Sequence, residues 1–319
     1  RMLSYEVARQ NKLKIDWATY TPPTPAFPGV TVLEDFPLEE IKKYIDWTPF
    51  FQAWELAGKY PAILTDEVVG EAATDLFKDV NKLMDEAIKG KWLQANGVIG
   101  LWPANTVEDD LIEIYEDDTR STVIKTLITR RQQQQKAAGL PNISLSDFIA
   151  PKESGVKDYI GGFAVTGGMN IETKLEEFEA NHDVYNSIML KALADRFAEA
   201  FAECLHHKVR TQYWGYASDE NLNNEDLIKE SYQGIRPAPG YPACPEHSEK
   251  GKLFELMDVS NNTGITLTES YAMLPTAAVS GWYFSHPDSK YFGVGEILED
   301  QVGAWKEYAF EMEGIIGPK

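Results

Sequence analysis

The sequence is poor in cysteine, in positive charge and in long hydrophobic runs, and each shortage excludes a class of protein. Only two cysteines occur in 319 residues, so no disulfide framework is implied and a reducing, cytoplasmic compartment is expected. Lys and Arg number 30 against 50 Asp and Glu, which gives a net charge of -20. This charge disfavours nucleic acid and anionic membrane surfaces as partners.

Membrane insertion and secretion have no support in the sequence. No apolar run reaches the roughly 18 to 20 residues that cross a bilayer, and residues 1–5 lack a signal-peptide core. The first residue is Arg instead of Met, so we expect the chain to have been cut from something longer.

Sequence motifs for catalysis and metal binding are also missing. There is no Gly-x-x-x-x-Gly-Lys-Ser/Thr loop and no Gly-x-Ser-x-Gly elbow. Cys244 with His247, and Cys204 with His206 and His207, do not supply the two spaced ligand pairs of a zinc signature. We therefore predict no catalytic residue and no metal ligand, and interpret these side chains as buried thiols and hydrogen-bonded histidines.

The composition is that of a folded domain, with 43% hydrophobic and 25% charged residues. Residues 1–40 carry the proline-rich stretch Thr21 to Pro25 and are interpreted as an N-terminal arm or interdomain connector. No Gly/Ser-rich linker divides the remainder, so residues 41–319 are predicted to form one domain.

Hydrophobic periodicity predicts separate groups of helices and strands. Helical spacing covers residues 66–88 and 172–213, and the second of these has an apolar residue every fourth position from Met189 to Val209. Alternating or short apolar runs between residues 97 and 166 and at 278–284 predict strands, and a helical tail is expected from about Gly295. Because helices and strands are segregated, the pattern predicts an α+β fold on an antiparallel sheet.

Two groups of charged residues have two interpretations each. Arg130, Arg131 and Lys136 form the densest basic cluster, which is interpreted as a solvated strand or loop end, with docking of an acidic protein as the alternative. Asp195 and Glu199 share one helix face because they are four residues apart. They are either ordinary surface charge or docking residues.

The stretch from Gly234 to His247 is the most unusual in the chain. Four prolines within nine residues fix several φ angles, and Gly240 allows a turn that other residues resist. A loop that is rigid in advance and presents Arg236 and Tyr241 loses little entropy when it binds a small ligand with a carboxylate. The alternative is a structural crossover.

Asp46 is a lone acid among aromatic residues between Tyr44 and Phe51. Such an acid requires a partner. A cationic group of a ligand and the N-terminus of a helix both satisfy this requirement.

Five blocks carry a family resemblance. These blocks are Asp46 to Phe51, Lys191 to Arg196, Tyr213 to Tyr216 and the loop from Arg236 to His247, joined by the later block Ser280 to Tyr291. Over nearly its whole length the chain resembles the C-terminal reactivation domain of cobalamin-dependent methionine synthases. The resemblance implies a single C-shaped α+β domain with a central, largely antiparallel sheet flanked by helices, which binds S-adenosylmethionine along a surface groove.

The resemblance also implies specific binding residues. The family motif Arg-x-x-x-Gly-Tyr corresponds to Arg236, Gly240 and Tyr241, with the guanidinium placed against the ligand carboxylate. The acidic helix residues Asp195 and Glu199 correspond to positions that dock the cobalamin domain. The full set of implied ligand contacts is Asp46, Glu230, Arg236, Ala238, Gly240, Tyr241, Tyr291 and Phe292. Phe292 departs from the family, where many relatives carry a tyrosine.

The implied function is reactivation of methionine synthase (5-methyltetrahydrofolate-homocysteine methyltransferase), an enzyme of methionine biosynthesis. In the family, S-adenosylmethionine is the methyl donor for reductive methylation of cob(II)alamin to methylcobalamin. Cobalamin and zinc are expected only in the missing N-terminal modules, so this fragment is not expected to complete the main reaction. The implied partners are the cobalamin-binding domain of the same polypeptide and a flavodoxin or diflavin reductase. The alternative is a docking module for these partners that binds no ligand of its own.

Overall fold

A computed structural model describes residues 1–319. Each strand of the fold pairs only with antiparallel neighbours. The strands are β1 (Gly29–Phe36), β2 (Gln94–Val107), β3 (Leu111–Tyr115), β4 (Val123–Ile128), β5 (Asp158–Met169), β6 (Thr266–Leu267), β7 (Met273–Leu274) and β8 (Ala278–Tyr283). Six of them form the central sheet in the order β4, β3, β2, β5, β8, and β1 pairs with β2. The predicted α+β class with a central antiparallel sheet is confirmed.

Helices cover both faces of this sheet. They are α1 (Tyr5–Gln10), α2 (Leu38–Ile41), α3 (Thr48–Ala53), α4 (Gly70–Gly90), α5 (Ile171–Ala180), α6 (Val184–Lys208), α7 (Asn224–Ile228), α8 (Glu249–Leu256), α9 (Val259–Thr263) and α10 (Glu299–Ala304). Even the longest of them is too polar to span a lipid bilayer.

Two hydrophobic cores lie on opposite faces of the sheet, because alternate residues of each strand point to opposite sides. Ile99 and Leu101 of β2 belong to the larger core, beneath α4 and α6. Val98 and Trp102 belong to the smaller one, beneath α8 and α9. Since both faces are covered, β2 and β5 are buried over nearly their whole length.

The predicted helices and strands are largely present, with differences at their ends. The stripe from Met189 to Val209 packs in the larger core as expected. Asp66 precedes α4, where its Oδ1 accepts hydrogen bonds from the backbone N–H groups of Val68 and Val69. The helix predicted over 172–213 is two helices, because the chain turns at residues 181–183, and its last residues form a π-helical turn.

Two regions differ more strongly from the prediction. The prediction of a helical tail from Gly295 is wrong except for one short helix. Only α10 and a single 3-10 turn form there, and Ile316 forms a β-bridge with Leu267 instead. The segment 1–40, predicted as an arm, contains α1 and also β1, which pairs along β2. The boundary between residues 40 and 41 stays a prediction.

The interpretation of Arg130 and Arg131 as a solvated end is wrong. Arg131 is fully buried and its guanidinium pairs with Asp110 and Asp147, each at 2.8 Å. Arg130 is 5% exposed and pairs with Glu246. These cations are therefore part of the interior.

α6 packs closely against the sheet at Gly167 of β5. A Cβ at this position would lie 2.6 Å from the backbone nitrogen of Ala198 and 2.7 Å from the Cβ of Phe197. We expect Gly167→Ala to push α6 outward and to lower the free energy of unfolding by about 1 to 3 kcal/mol, measured by urea denaturation.

A matched control lies in the same strand. At Gly162 an added Cβ would meet no atom closer than 3.4 Å, so Gly162→Ala should leave the free energy of unfolding nearly unchanged. Equal losses in the two variants would show that close contact with α6 is not the cause.

Candidate ligand-binding groove

The loop that begins at Gly234 is fixed along the outer edge of β8 by backbone hydrogen bonds. Ile235 and Phe284 exchange both of their backbone hydrogen bonds at 3.0 Å, and the N–H of Trp282 donates to the carbonyl of Pro237 at 2.8 Å. Beyond Pro237 the loop closes a turn in which the N–H of Gly240 donates to the carbonyl of Cys244. The predicted rigid loop is therefore held at both ends.

Gly240 is required in this turn. Its φ is +96°, and a Cβ there would lie 2.4 Å from the imidazole ring of His247. His247 thus packs over the turn, while Cys244 is buried and forms no disulfide.

The Arg236 side chain is anchored by partners on α6 and on the preceding loop. Its Nη2 donates to Glu203, and its Nη1 donates to His206 Nδ1 at 2.9 Å and to the hydroxyl of Tyr232 at 3.0 Å. Because arginine only donates, the neutral His206 carries its proton on Nε2. Three of the five guanidinium N–H groups are engaged, and Nε–H and one Nη2–H have no protein acceptor.

Burial and charge act in opposite directions on the pKa of Arg236 and in the same direction on the pKa of His206. Burial alone would lower the pKa of Arg236, but the Glu203 carboxylate raises it above its ordinary value. Burial lowers the pKa of His206 far below its usual range, and the neighbouring Arg210 and Arg236 lower it further. The cluster therefore presents a charged guanidinium beside a neutral imidazole.

Two adjoining cavities meet at Arg236. The first has a volume of about 280 Å³ and the second about 420 Å³, and Glu199, Glu230 and Arg236 line both. We call the continuous depression the Arg236 groove, the first cavity its acidic end and the second its apolar end. The acidic end contains four carboxylates and two guanidinium groups, from Asp46, Glu199, Glu203, Glu230, Arg196 and Arg236.

The apolar end receives the remaining residues of the loop and the later block. Ala238, Tyr241, Tyr291 and Phe292 line it, and Gly240 shapes the turn beside it. The hydroxyl of Tyr291 accepts a hydrogen bond from the backbone N–H of Arg236 at 2.9 Å, so it supports the loop. Phe292 packs against the smaller core.

Asp46 contacts the N-terminus of a helix, and its binding of a cationic ligand group stays a prediction. Its Oδ1 accepts a hydrogen bond at 3.2 Å from the N–H of Thr48, the first residue of α3. The same side chain lines the acidic end of the groove. It can therefore cap the helix with one oxygen and offer the other to a cationic group.

The two predicted docking residues of α6, Asp195 and Glu199, differ in their position relative to the groove. Glu199 lines both cavities, whereas Asp195, one helical turn earlier, lines neither and is exposed to solvent. Docking roles for both stay predictions.

Sequence reasoning missed Glu203, His206 and Tyr232, which hold Arg236. Glu203 follows Glu199 by four residues, as Glu199 follows Asp195, so one acidic helix face continues into the site. That spacing was the available signal. His206 and Tyr232 had no comparable pattern, because their contact with Arg236 depends on how distant segments pack.

His206 makes the stability of the folded protein sensitive to acid. Its pKa is lower in the folded state than in the unfolded chain, so below about pH 6.5 the unfolded chain takes up the proton first. We expect the free energy of unfolding to fall by up to about 1.4 kcal/mol per pH unit from this group. Urea denaturation at pH 7.5, 6.5 and 5.5 should show a smaller decrease in His206→Gln.

The matched control is His182→Gln, at an exposed position. It should keep the acid-dependent decrease of the parent protein. If His206→Gln kept the same decrease, the lost stability would have to come from other groups, such as the half-buried His207 and the buried His286.

A larger cavity of about 570 Å³ lies elsewhere, between the N-terminal segment, the turn that follows β2 and residues 146–153. Three of its four cations are paired, Arg9 and Lys12 with Asp109 and Lys152 with Glu113, and Lys14 forms no salt bridge. It includes none of the predicted site residues, so the Arg236 groove is the better candidate.

Comparison with known proteins agrees with these features. The chain matches the family described as vitamin B12 dependent methionine synthase, activation domain, over residues 37–309. It is also similar to a solved structure of the MetH reactivation domain bound to AdoHcy. The two are 57% identical with a TM-score of 0.94, and the match covers 96% of this chain and 93% of that chain. The resemblance stated from the sequence is confirmed.

Proposed function

The chain belongs to the activation-domain family of vitamin B12 dependent methionine synthases, and from this premise we propose that it binds S-adenosylmethionine in the Arg236 groove. In this proposal the methyl group is presented to an inactive cob(II)alamin. One electron from a flavoprotein and the methyl group together yield methylcobalamin and leave AdoHcy, S-adenosylhomocysteine. The AdoHcy bound to the similar MetH reactivation domain supports this choice of ligand.

The observation that carries the proposal is convergence on one groove. Asp46, Glu230, the Arg236 loop and Tyr291 come from separate segments of the chain and line two cavities that share Arg236. The unengaged Nε–H and Nη2–H of Arg236 match the two oxygens of a carboxylate. The surrounding carboxylates match an ammonium and a sulfonium. This donor set therefore fits a zwitterionic amino-acid group attached to a cationic sulfur.

The tasks of the protein in this proposal are binding and orientation. S-adenosylmethionine supplies a methyl group that is reactive without further activation. Arg236 holds the carboxylate, Asp46 and its acidic neighbours hold the ammonium, and Tyr241 with Phe292 forms walls of the apolar end. No general base is needed, so orientation and approach distance set the rate.

The remaining elements of the proposal concern the partners of this chain and the other modules of the enzyme. Asp195 and Glu199 would face the cobalamin-binding domain of the same polypeptide, and a flavodoxin or diflavin reductase would supply the electron. Cobalamin and zinc would reside in the other modules, and the enzyme would act in the cytoplasm. Residues 1–40 would connect the ligand-binding domain of residues 41–319 to the preceding module.

Calorimetric titration of the protein with S-adenosylmethionine and with AdoHcy tests the proposal. We expect saturable binding of both at a one-to-one ratio. If neither ligand gives binding heat at several temperatures, the groove does not bind the methyl donor, and a docking role without ligand binding takes precedence.

A further inference from the structure

Residues 130–132, which we call the support segment, contact both walls of the apolar end without lining the groove. Arg130 and Gln132 are buried, and their side chains bond to the Arg236 loop and to the segment that carries Tyr291 and Phe292. Arg131, between them, instead pairs with carboxylates near the N-terminal segment. Residues two apart thus share one side, as in an extended chain.

Arg130 supports the far part of the Arg236 loop. Its Nη2 donates to Oε2 of Glu246 at 2.8 Å. Glu246 lies two residues beyond the turn that the N–H of Cys244 closes by donating to the carbonyl of Tyr241, and Tyr241 lines the apolar end. β8 therefore holds the start of the loop, and this ion pair holds it beyond the turn.

Gln132 supports the opposite wall. Its Nε2 donates to the carbonyl of Gly293 at 2.8 Å, and Gly293 directly follows Tyr291 and Phe292, which line the apolar end. The Gln132 amide is itself fixed, because its Oε1 accepts a hydrogen bond from the N–H of Ile143 at 3.0 Å. The chain around Gly293 forms neither helix nor strand, so the position of this wall depends on such individual contacts.

A backbone hydrogen bond joins the two walls. The N–H of Val294 donates to the carbonyl of Pro242 at 2.9 Å. Val294 is fully buried, and Pro242 lines the apolar end. The contacts thus form a closed ring, in which Arg130 holds the loop, the loop holds Val294, and the adjacent Gly293 is held by Gln132. Loss of either side-chain contact opens this ring.

We propose that Arg130 and Gln132 are positioning residues for the ligand, which act by holding the two walls of the apolar end at a fixed separation before the ligand binds. A cavity with ordered walls binds at a lower entropy cost than one whose walls the ligand must order. The cationic and glutamine-rich stretch thereby has a role other than surface charge or docking. This inference rests on the proposed function and goes beyond it, because neither side chain lines the groove.

Gln132→Met and Arg130→Met test the inference. Methionine keeps an unbranched buried stem and removes the hydrogen bond to the wall. We expect each variant to weaken AdoHcy by about three- to tenfold in calorimetric titration, because one hydrogen bond is lost and the ligand must then order the wall. The side chain of Glu246 is 35% exposed, so water can hydrate it once Arg130 is removed.

Hydrogen exchange separates positioning from a general loss of stability. The amide of Val294 should exchange faster in both variants than in the parent protein, because its hydrogen bond to Pro242 belongs to the ring of contacts. Saturating AdoHcy should return this exchange towards the parent rate.

Asn105→Leu is the matched control. The buried amide of Asn105 donates to the carbonyls of Ala150 and Val156, each at 2.9 Å, and it lies outside the groove. This variant should also lose stability to urea, but it should bind AdoHcy with the parent affinity and leave the exchange of Val294 unchanged.

The outcomes that overturn the inference are distinct from failure of the proposed function. If Gln132→Met and Arg130→Met bind AdoHcy with the parent affinity, the support segment does not position the groove. The inference also fails if their affinity falls while Val294 exchanges at the parent rate, or if Asn105→Leu weakens AdoHcy equally, because the cause would then lie outside the ring of contacts. If the parent protein binds no AdoHcy at all, the proposed function fails and this inference fails with it.

Discussion

We expect Arg236→Ala to weaken the binding of AdoHcy by about 10- to 150-fold, the loss of one charge-assisted contact worth about 1.5 to 3 kcal/mol. The guanidinium has two unengaged N–H groups at the junction of the two cavities, where the carboxylate of the ligand is proposed to lie. Calorimetric titration of the variant and the parent protein measures the change. 5′-methylthioadenosine, which has no carboxylate, should lose far less affinity.

The same substitution should also destabilise the free protein. Glu203 is 8% exposed and pairs with Arg236, so Arg236→Ala leaves a carboxylate buried without its partner. Glu203→Gln in the Arg236→Ala background removes that charge. The double variant should therefore recover stability to urea but not affinity for AdoHcy, which separates the structural role of the arginine from its binding role.

A different pattern would contradict this account. If the double variant recovered AdoHcy binding along with stability, Arg236 would act only by keeping the groove folded. Arg236→Lys is the conservative control. It keeps a positive charge beside Glu203 but lacks the planar fork, so it should retain stability and lose much of the affinity.

The sequence predicts those elements whose periodicity is strong and whose environment is uniform. The stripe on α6 and the apolar runs of β2, β5 and β8 fall on the two cores as expected. Strand β1 was missed because it lies on an edge of β2 and alternates between half-buried and exposed residues. Strand β4 begins with exposed residues for the same reason. Edge strands bury too little surface to leave a clear pattern.

The site could be predicted in part. The prolines and Gly240 predicted a rigid loop, and its backbone hydrogen bonds agree. Glu203 had a signal in its four-residue spacing from Glu199, but the contacts of Glu203 and His206 with Arg236 could not be predicted, because both residues lie on the helix that supplies the core stripe. Their approach to the loop depends on the packing of α6 against β5 at Gly167 and on β8 carrying the loop. Such contacts are properties of the tertiary structure.

The interpretation of Arg131 failed for a related reason. Adjacent cations followed by four glutamines suggest a solvated segment, but acids at distant positions bury this arginine. Asp110 follows β2 and Asp147 belongs to a short 3-10 turn, and both contact the guanidinium. The hydroxyl of Tyr5 in α1 donates a hydrogen bond to Asp110. The cluster therefore joins the N-terminal segment to the sheet.

We expect Arg131→Met to lower the free energy of unfolding by about 3 to 5 kcal/mol, because it leaves two buried carboxylates without their cation. Burial already raises the pKa of Asp147, and Arg131 is the largest opposing influence. Without the guanidinium, Asp147 must take up a proton or remain charged in an apolar environment, and either change costs stability. Urea denaturation at pH 7 measures the loss.

Lys229→Met is the matched control for removal of a cation, since Lys229 pairs with Glu225 at a well-exposed position. Exposed pairs contribute little to stability, so this variant should unfold at the urea concentration of the parent protein. Asp110→Asn and Asp147→Asn, added to Arg131→Met, remove the unpaired charges while keeping side-chain shape, and should restore at least about half of the lost free energy. If the triple variant were no more stable than Arg131→Met alone, the loss would come from the packing of the arginine side chain. The charge network would then have no part in holding α1 to the sheet.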